Sequence, residues 1–271
     1  MSRTPQPRTP QDDVHPVLAG AEPYAADGGP HGALVLHGFT GNPASMVGVA
    51  KALAGAGYAV ECPRLPGHGT DIEDMLATTW DDWSAEAERA LDRLRSKLAD
   101  GGRIVVVGLS MGGALTAWIG TRHADLAGLV LINAVAEPPG PMRALVQSAI
   151  DDGTEVFPGI GADIADPDAT ETAYAGTPLR PLLTLLDAVT AMQDDLAKIA
   201  CPVLILTSPQ DHVVPPTNSD HLAASVRGPV ERVTLERSYH VATLDYDKDL
   251  VIERVLDFAG RILTVEATAT G

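Results

Sequence analysis

Three side chains that together could cleave an acyl bond occur in the chain order Ser110, Asp211, His240. A serine hydroxyl is a weak nucleophile until a base takes its proton, and the base needs a carboxylate to fix its tautomer and offset the charge it gains. Ser110 stands in Gly108-Leu109-Ser110-Met111-Gly112-Gly113, directly after Val105-Val106-Val107. A Gly-x-Ser-x-Gly pattern between a strand and a helix is that of a nucleophile elbow. Its glycines leave room for a tight turn, and its serine is held in strained backbone geometry with Oγ exposed above the sheet. The helix that follows directs its unpaired N–H groups at the place where a negative oxygen would form. Five residues are a short pattern, and the competing reading is a serine in an ordinary strand-to-helix loop; the context decides between them.

An elbow serine calls for an acid after a later strand and a histidine before the last helix. Asp211 fills the first place, four residues beyond the apolar run Val203–Thr207, in Ser208-Pro209-Gln210-Asp211-His212-Val213-Val214-Pro215. His240 fills the second, in Ser238-Tyr239-His240-Val241-Ala242. Asp245 and Asp247 follow the base and do not fit the order, while the competing reading of Asp211 is a turn-forming aspartate. Seven other histidines compete for the role of base. His37 and His68 lie in glycine loops and read as structural hydrogen-bonding groups. His212 adjoins the acid and should point elsewhere, His15 and His31 precede the first strand and are expected at the solvent, and His123 and His221 fall on helix surfaces. Acyl transfer also needs donors for the oxyanion. The expected pair is the backbone N–H of Met111, next to the nucleophile, and that of Phe39, in the loop after an earlier strand. Phe39 read on its own would be an ordinary core aromatic.

These residues require strands that end at one edge of a sheet. Gly32–Leu36 reads as a buried strand running into His37-Gly38-Phe39-Thr40-Gly41, and Asn42-Pro43 supplies a helix cap and first turn. That helix runs to about Ala56, with Gly57 as its stop. A strand over Tyr58–Pro63, an irregular loop over Arg64–Thr70, and a long amphipathic helix from Thr79 or Asp81 through Leu98 follow. Arg103–Val107 is the strand before the elbow, Met111–Arg122 the helix after it, and Leu126–Ile132 the next strand. The alternation then breaks: residues 137–181 are rich in Pro, Gly and Asp with short apolar runs, and read as an inserted cap. A helix around Leu182–Leu196, the strand Val203–Thr207, a helix over Thr217–Val226, a strand over Val230–Leu235 and a closing helix from Lys248 to Leu263 complete the pattern. Strands alternating with helices mean a mainly parallel sheet. The expected organisation is a tail over 1–16, a core over 17–136 and 182–264 interrupted by the cap, and a terminal tail over 265–271.

Length and charge narrow the function classes. The 271 residues suffice for one α/β domain with an insertion. A formal charge of −17, from 19 Lys and Arg against 36 Asp and Glu, repels nucleic acid and anionic membrane surfaces. Cys62 and Cys201 are too few for a disulfide framework and lack the histidine neighbours of a metal site, so buried free thiols are expected. No stretch approaches the 18 apolar residues of a membrane span, and the N-terminus lacks the apolar core of a signal peptide. The expectation is a cytoplasmic protein without a metal or other cofactor; the sequence sets no oligomeric state.

Taken together, His37-Gly38-Phe39-Thr40-Gly41, Gly108–Gly113, Gln210–Pro216 and Ser238–Asp245 resemble the bacterial monoacylglycerol lipases and their carboxylesterase relatives. The likeness runs from about Pro16 to Phe258 and includes Leu18-Ala19-Gly20-Ala21-Glu22-Pro23. It implies an α/β-hydrolase fold, ester hydrolysis with a small-molecule substrate, and a small mobile cap. It also implies that Glu171, in Asp166–Tyr174, binds the glycerol hydroxyls, and that Ile160 narrows the alcohol pocket. Glu155-Val156-Phe157-Pro158 departs from the family pattern, which leaves acyl-chain preference open. A general carboxylesterase, a thioester or amide hydrolase, and a ligand-binding protein on the same scaffold remain alternatives; a serine at the elbow excludes an aspartate-nucleophile dehalogenase.

Overall fold

The computed structural model describes residues 15–159 and 161–264. In chain order its elements are β1 (Tyr24–Ala26), β2 (Gly32–Leu36), α1 (Val47–Gly55), β3 (Ala59–Cys62), α2 (Ile72–Leu76), α3 (Trp80–Lys97), β4 (Ile104–Leu109), α4 (Met111–Arg122), β5 (Gly128–Ile132), α5 (Pro141–Asp151), β6 (Val156–Pro158), β7 (Gly176–Pro178), α6 (Leu179–Ala191), β8 (Val203–Thr207), α7 (Thr217–Ser225), β9 (Val230–Thr234) and α8 (Lys248–Thr264). Seven strands form one sheet in the order β1-β3-β2-β4-β5-β8-β9. The β1–β3 pair is antiparallel and every other pair is parallel.

The apolar runs explain the layering. Strand side chains alternate between faces, and a sheet covered on both sides needs apolar residues at every position. Leu34, Leu36, Val106, Leu129, Leu131 and Ile205 accordingly pack on one face with Trp83, Leu91 and Leu94 of α3 and Leu115 and Ile119 of α4. Their neighbours Val35, Val105, Val107, Val130, Leu204 and Leu206 pack on the other with Leu53 of α1 and Val251, Val255 and Phe258 of α8. The result is a helix–sheet–helix sandwich with the strand C-termini at one edge.

Several boundaries differ from the sequence reading. The strand β1 spans only three residues and α2 only five, too few for a periodic signal. Helix α6 begins at Leu179, not after Pro181, because a proline within the first helical turn forfeits an N–H that has no intrahelical acceptor anyway. It ends at Ala191, and a 3₁₀ turn over Gln193–Lys198 takes over. Asn42 caps a 3₁₀ turn over Pro43–Ser45, its side chain accepting from the Ala44 N–H at 3.0 Å, before α1 starts. His15 and His31, expected at the solvent, are both half-buried: His15 Nδ1 is 2.7 Å from Asp71 Oδ2, and His31 Nδ1 accepts from Arg103 N at 3.2 Å. Of the expected terminal tails, residues 1–14 and 265–271 lie outside the described residues.

Between β5 and α6 the chain leaves the sheet. Helix α5 sets Val146 and Ile150 against Leu179 and Leu186 in a small separate apolar cluster, and β6 and β7 form an antiparallel hairpin. The stretch from 161 to 175 lies between the two hairpin strands without regular structure of its own. Both cysteines are free. Burial pushes the Cys62 thiol up to about 12 and the Cys201 thiol up to about 11, so neither is a thiolate near neutral pH.

Candidate active site

At the end of β4, Ser110 has φ 57° and ψ −118°, a conformation that non-glycine residues seldom adopt. Close packing sustains it. A Cβ on Gly108 would lie 2.0 Å from the Gly112 carbonyl oxygen, and one on Gly112 would lie 2.3 Å from that of Leu36. Only glycines at both places let the strand turn straight into α4. The turn is further tied by Ser110 N–H donating to Ile132 O at 3.0 Å and Ala114 N–H to Ser110 O at 3.0 Å. Ser110 is 7% exposed.

Beyond β8, Asp211 lies in the loop before α7. Its Oδ1 accepts from the N–H groups of Val213 and Val214, both at 2.8 Å, which leaves Oδ2 to meet His240 Nδ1 at 2.7 Å. The two side chains are 1% and 9% exposed, so the pair is shielded from solvent. Among the described residues no hydrogen bond joins Ser110 Oγ to His240; in unliganded sites this contact commonly closes only with substrate in place.

The loop after β2 lies against the nucleophile: a Cβ on Gly38 would be 3.3 Å from Ser110 Cβ. In this loop Thr40 has φ 60°. Among the described residues, neither the Phe39 N–H nor the Met111 N–H donates to another protein group, and the Met111 N–H is one of those left unpaired at a helix start. The Phe39 side chain is half-buried, edge-on to Trp83 at 5.7 Å and to His68 at 6.3 Å.

Glu171 reaches the same place from the irregular stretch between β6 and β7. Its Oε1 is 3.1 Å from where a Cβ on Gly41 would sit, and none of the hydrogen bonds among the described residues ends on its carboxylate. Burial pushes that carboxyl above its ordinary value, with the nearby His240 pulling it back. The neighbours of Glu171 are tied to the core: Asn42 Nδ2 donates to the Thr172 carbonyl, Tyr174 N–H to Thr40 O at 3.2 Å, and Tyr174 Oη to Gly67 O at 2.8 Å. Ile160 lies outside the described residues.

The remaining histidines have other duties. His37 Nδ1 is bonded to Gly38 O at 2.9 Å, and its Nε2 accepts from Leu65 N at 3.1 Å; burial pulls this ring down to about 4. His68 Nδ1 is 2.9 Å from Pro66 O, and burial, with His37 beside it, holds this ring well below the ordinary imidazole value. His212 turns away from His240 to Asp163 Oδ1 at 2.8 Å. His123 bonds Glu88 and His221 bonds Gln193. Two residues here carried no motif: Asn133, at the end of β5, and Asp163, between β6 and β7. Each hydrogen-bonds both the acid loop and the His240 backbone; no signal in the sequence marks either one. Among the described residues no group of His, Cys, Asp and Glu could hold a metal ion.

A family model described as the alpha/beta hydrolase family matches residues 33–254. The chain belongs to the alpha/beta hydrolase family. Within it, the chain is 44% identical over 250 residues to a thermostable monoacylglycerol lipase of a Bacillus species (strain H-257), covering 91% of this chain and 97% of that protein. It is 25% identical over 249 residues to a carboxylesterase of Bacillus subtilis (strain 168), covering 89% of this chain and 97% of that one. A solved structure from work on LipS and LipT, two metagenome-derived lipolytic enzymes, superposes with a TM-score of 0.85 at 41% identity, covering 90% of this chain and 99% of its own. The hydrolase fold read from the sequence, a mainly parallel sheet flanked by helices, is therefore the observed one.

Proposed function

We propose that this alpha/beta hydrolase cleaves monoacylglycerols to a fatty acid and glycerol through an acyl-enzyme on Ser110. The chain is a hydrolase of carboxylic esters, and the observation that carries the finer reading is Glu171. Its carboxylate, free of hydrogen bonds among the described residues, stands beside His240 and against the loop that holds Phe39. Acceptors placed there suit an alcohol moiety that brings its own hydroxyl donors. The 44% identical relative is named for monoacylglycerol hydrolysis, which supports the same substrate class.

In this reading Ser110 Oγ attacks the ester carbonyl while His240 Nε2 takes its proton, and Asp211 holds the Nδ1–H side of the ring. The N–H groups of Phe39 and Met111 receive the oxyanion. Collapse of the intermediate breaks the bond to glycerol, whose oxygen takes the proton back from His240. Water, deprotonated by His240, then attacks the acyl-enzyme; the second tetrahedral intermediate releases the fatty acid and returns the proton to Ser110. No cofactor is needed. Residues 137–181 act as the cap over this site, and Ile160 is assigned to the alcohol pocket. Two free cysteines suit a reducing cytoplasm, and among the described residues no helix is long and apolar enough to cross a membrane.

The test compares kcat/KM for 1-monolauroylglycerol and methyl laurate, with Ser110→Ala as the blank. The two substrates share an acyl chain and differ in the alcohol. A preference for the glyceride that disappears in Glu171→Ala supports the reading; equal rates in the unaltered protein move it to a general carboxylesterase.

A further inference from the structure

One carboxylate from the cap touches both loops that bear the acid and the base. Asp163 Oδ2 accepts from the backbone N–H of His212 at 3.0 Å and from that of His240 at 3.1 Å. Its Oδ1 faces His212 Nδ1 at 2.8 Å, and its own carbonyl accepts from Val241 N–H at 3.1 Å. His212 directly follows Asp211, so a single oxygen spans the acid loop and the base. The side chain is 9% exposed, and hydrogen bonds to a shielded carboxylate are among the stronger ones a backbone makes.

The β8–β9 pairing, extended by Leu235 N–H to Thr207 O at 2.9 Å, fixes where the two loops begin; beyond it side chains join them, Gln210 Nε2 donating to Glu236 O at 3.0 Å near their bases. Asp211 is fixed within its own loop by Val213 and Val214, so its alignment with His240 depends on how far apart the loops stand. Across the backbone of His240 from Asp163, the Asn133 amide donates to the His240 carbonyl at 2.8 Å and accepts from Ser208 N–H at 2.8 Å. The N–H and the C=O of the base are thus both held by side chains, one from the cap and one from β5. Asp163 is itself anchored. The fully buried Asp245 carboxylate accepts from Ala165 N and Asp166 N at 2.8 and 3.0 Å and from Tyr239 N at 2.8 Å, stapling the cap segment to the base loop.

From these contacts we infer that Asp163 is a positioning residue, whose carboxylate sets the separation of Asp211 and His240 and makes the cap part of the apparatus that aligns the base. The inference rests on the reading of Ser110, Asp211 and His240 as the reacting set. It separates two duties within the cap: Glu171 faces the substrate, whereas Asp163 never touches it and acts through His240.

The experiment uses the full chain and p-nitrophenyl acetate, which has no glycerol hydroxyls for Glu171 to bind. Misplacing the base by a fraction of an ångström to an ångström predicts that Asp163→Ala lowers kcat about 100-fold, with KM changed far less. Asp163→Asn keeps an acceptor oxygen for both N–H groups and meets His212 Nδ1 in its other tautomer, so it restores most of the rate. In an Asp211→Asn background the further change Asp163→Ala costs little, because the alignment it serves is already lost. The downfield proton NMR signal of the His240 Nδ1–H is present in the unaltered protein and in Asp163→Asn, and absent in Asp163→Ala. A folded Asp163→Ala protein with unchanged kcat overturns the inference, as does a loss that adds in full on Asp211→Asn, since that marks a general structural role. If Asp163→Ala does not fold, Asp163→Ser, with a single acceptor on a shorter arm, takes its place under the same two outcomes. Should Asp211→Asn and His240→Ala themselves keep full activity, it is the reading of the site that fails.

Discussion

The side-chain amide of Asn133 donates to the backbone carbonyl of His240 at 2.8 Å, across 107 positions of sequence. Asn133 is 3% exposed and has φ 42°, a left-handed conformation that asparagine tolerates better than most residues. Its amide also reaches Ser208 Oγ at 3.0 Å, and its carbonyl oxygen accepts from Ser208 N–H. The end of β5 thereby ties the backbone of His240 to the start of the loop that bears Asp211.

Asn133→Ala strips partners from two shielded backbone groups, the His240 carbonyl and the Ser208 N–H. Leaving buried polar groups unpaired costs about 1–3 kcal/mol each, and the alanine must also hold a positive φ. The expected result is a folded protein with a melting temperature lower by several degrees and a kcat reduced at least tenfold. Differential scanning calorimetry and p-nitrophenyl ester kinetics on one preparation check both; a full-rate variant would remove Asn133 from the support of His240.

Glu171→Ala should separate substrates, not chemistry. Because no group among the described residues hydrogen-bonds the Glu171 carboxylate, its removal should leave Asp211, His240 and the elbow intact, and methyl laurate should be cleaved at close to the original kcat/KM. For 1-monolauroylglycerol, loss of a hydrogen bond to a charged acceptor is worth about 1.5–3 kcal/mol, so kcat/KM should fall by roughly one to two orders of magnitude. Equal losses on both esters would make Glu171 a general support of the site.

At the elbow the limiting feature is space, and the limit is backbone. Gly112→Ala places a methyl carbon 2.3 Å from the Leu36 carbonyl oxygen and 2.6 Å from that of His37, neither of which a side-chain rotation can relieve. The turn must open and carry the Met111 N–H away from the Phe39 loop. Activity should fall by orders of magnitude, together with a lower yield of folded protein. As a control, Gly48→Ala in α1 meets nothing within 4 Å and should be neutral or slightly stabilising, since alanine is the better helix former.

What the sequence disclosed and what it hid follow one physical division. Strands β2, β4, β5 and β8 are buried on both faces and so read as unbroken apolar runs, and the glycines around Ser110 are demanded by contacts that no other residue survives. Asp211 and His240 could be singled out as candidates because each sits in a loop between a strand and the next helix, and the structure sets their side chains 2.7 Å apart. Asn133 and Asp163 could not be, for their role is to accept and donate to backbone groups of distant loops, and any pairing of that kind is invisible until the loops are folded. Helix α5 was hidden by the Pro-Gly run ahead of it, and because Val146 and Ile150 are its only buried residues.

Acid should destabilise the fold through two buried histidines, His37 and His68. The ring of His68 is fully buried, edge-on to His37, Trp83 and Phe39, and its Nε2 makes no hydrogen bond among the described residues. Burial lowers its affinity for a proton well below the ordinary 6.5 and that of His37 to about 4. Above pH 6.5 both rings are neutral in the folded and unfolded chains and the effect vanishes. Below it the unfolded chain binds protons that the folded one refuses, so stability falls as pH drops from 6.5 toward 4, by about 1.4 kcal/mol per pH unit for each ring. His68→Phe fills the same space without a titrating group. Although it forfeits the bond to Pro66 O, it should flatten the dependence of unfolding free energy on pH between 6 and 4.5 by about one proton's worth. Urea unfolding at a series of pH values reads this slope directly, and an unchanged slope would mean that water reaches His68 in the folded state and lets it take a proton there.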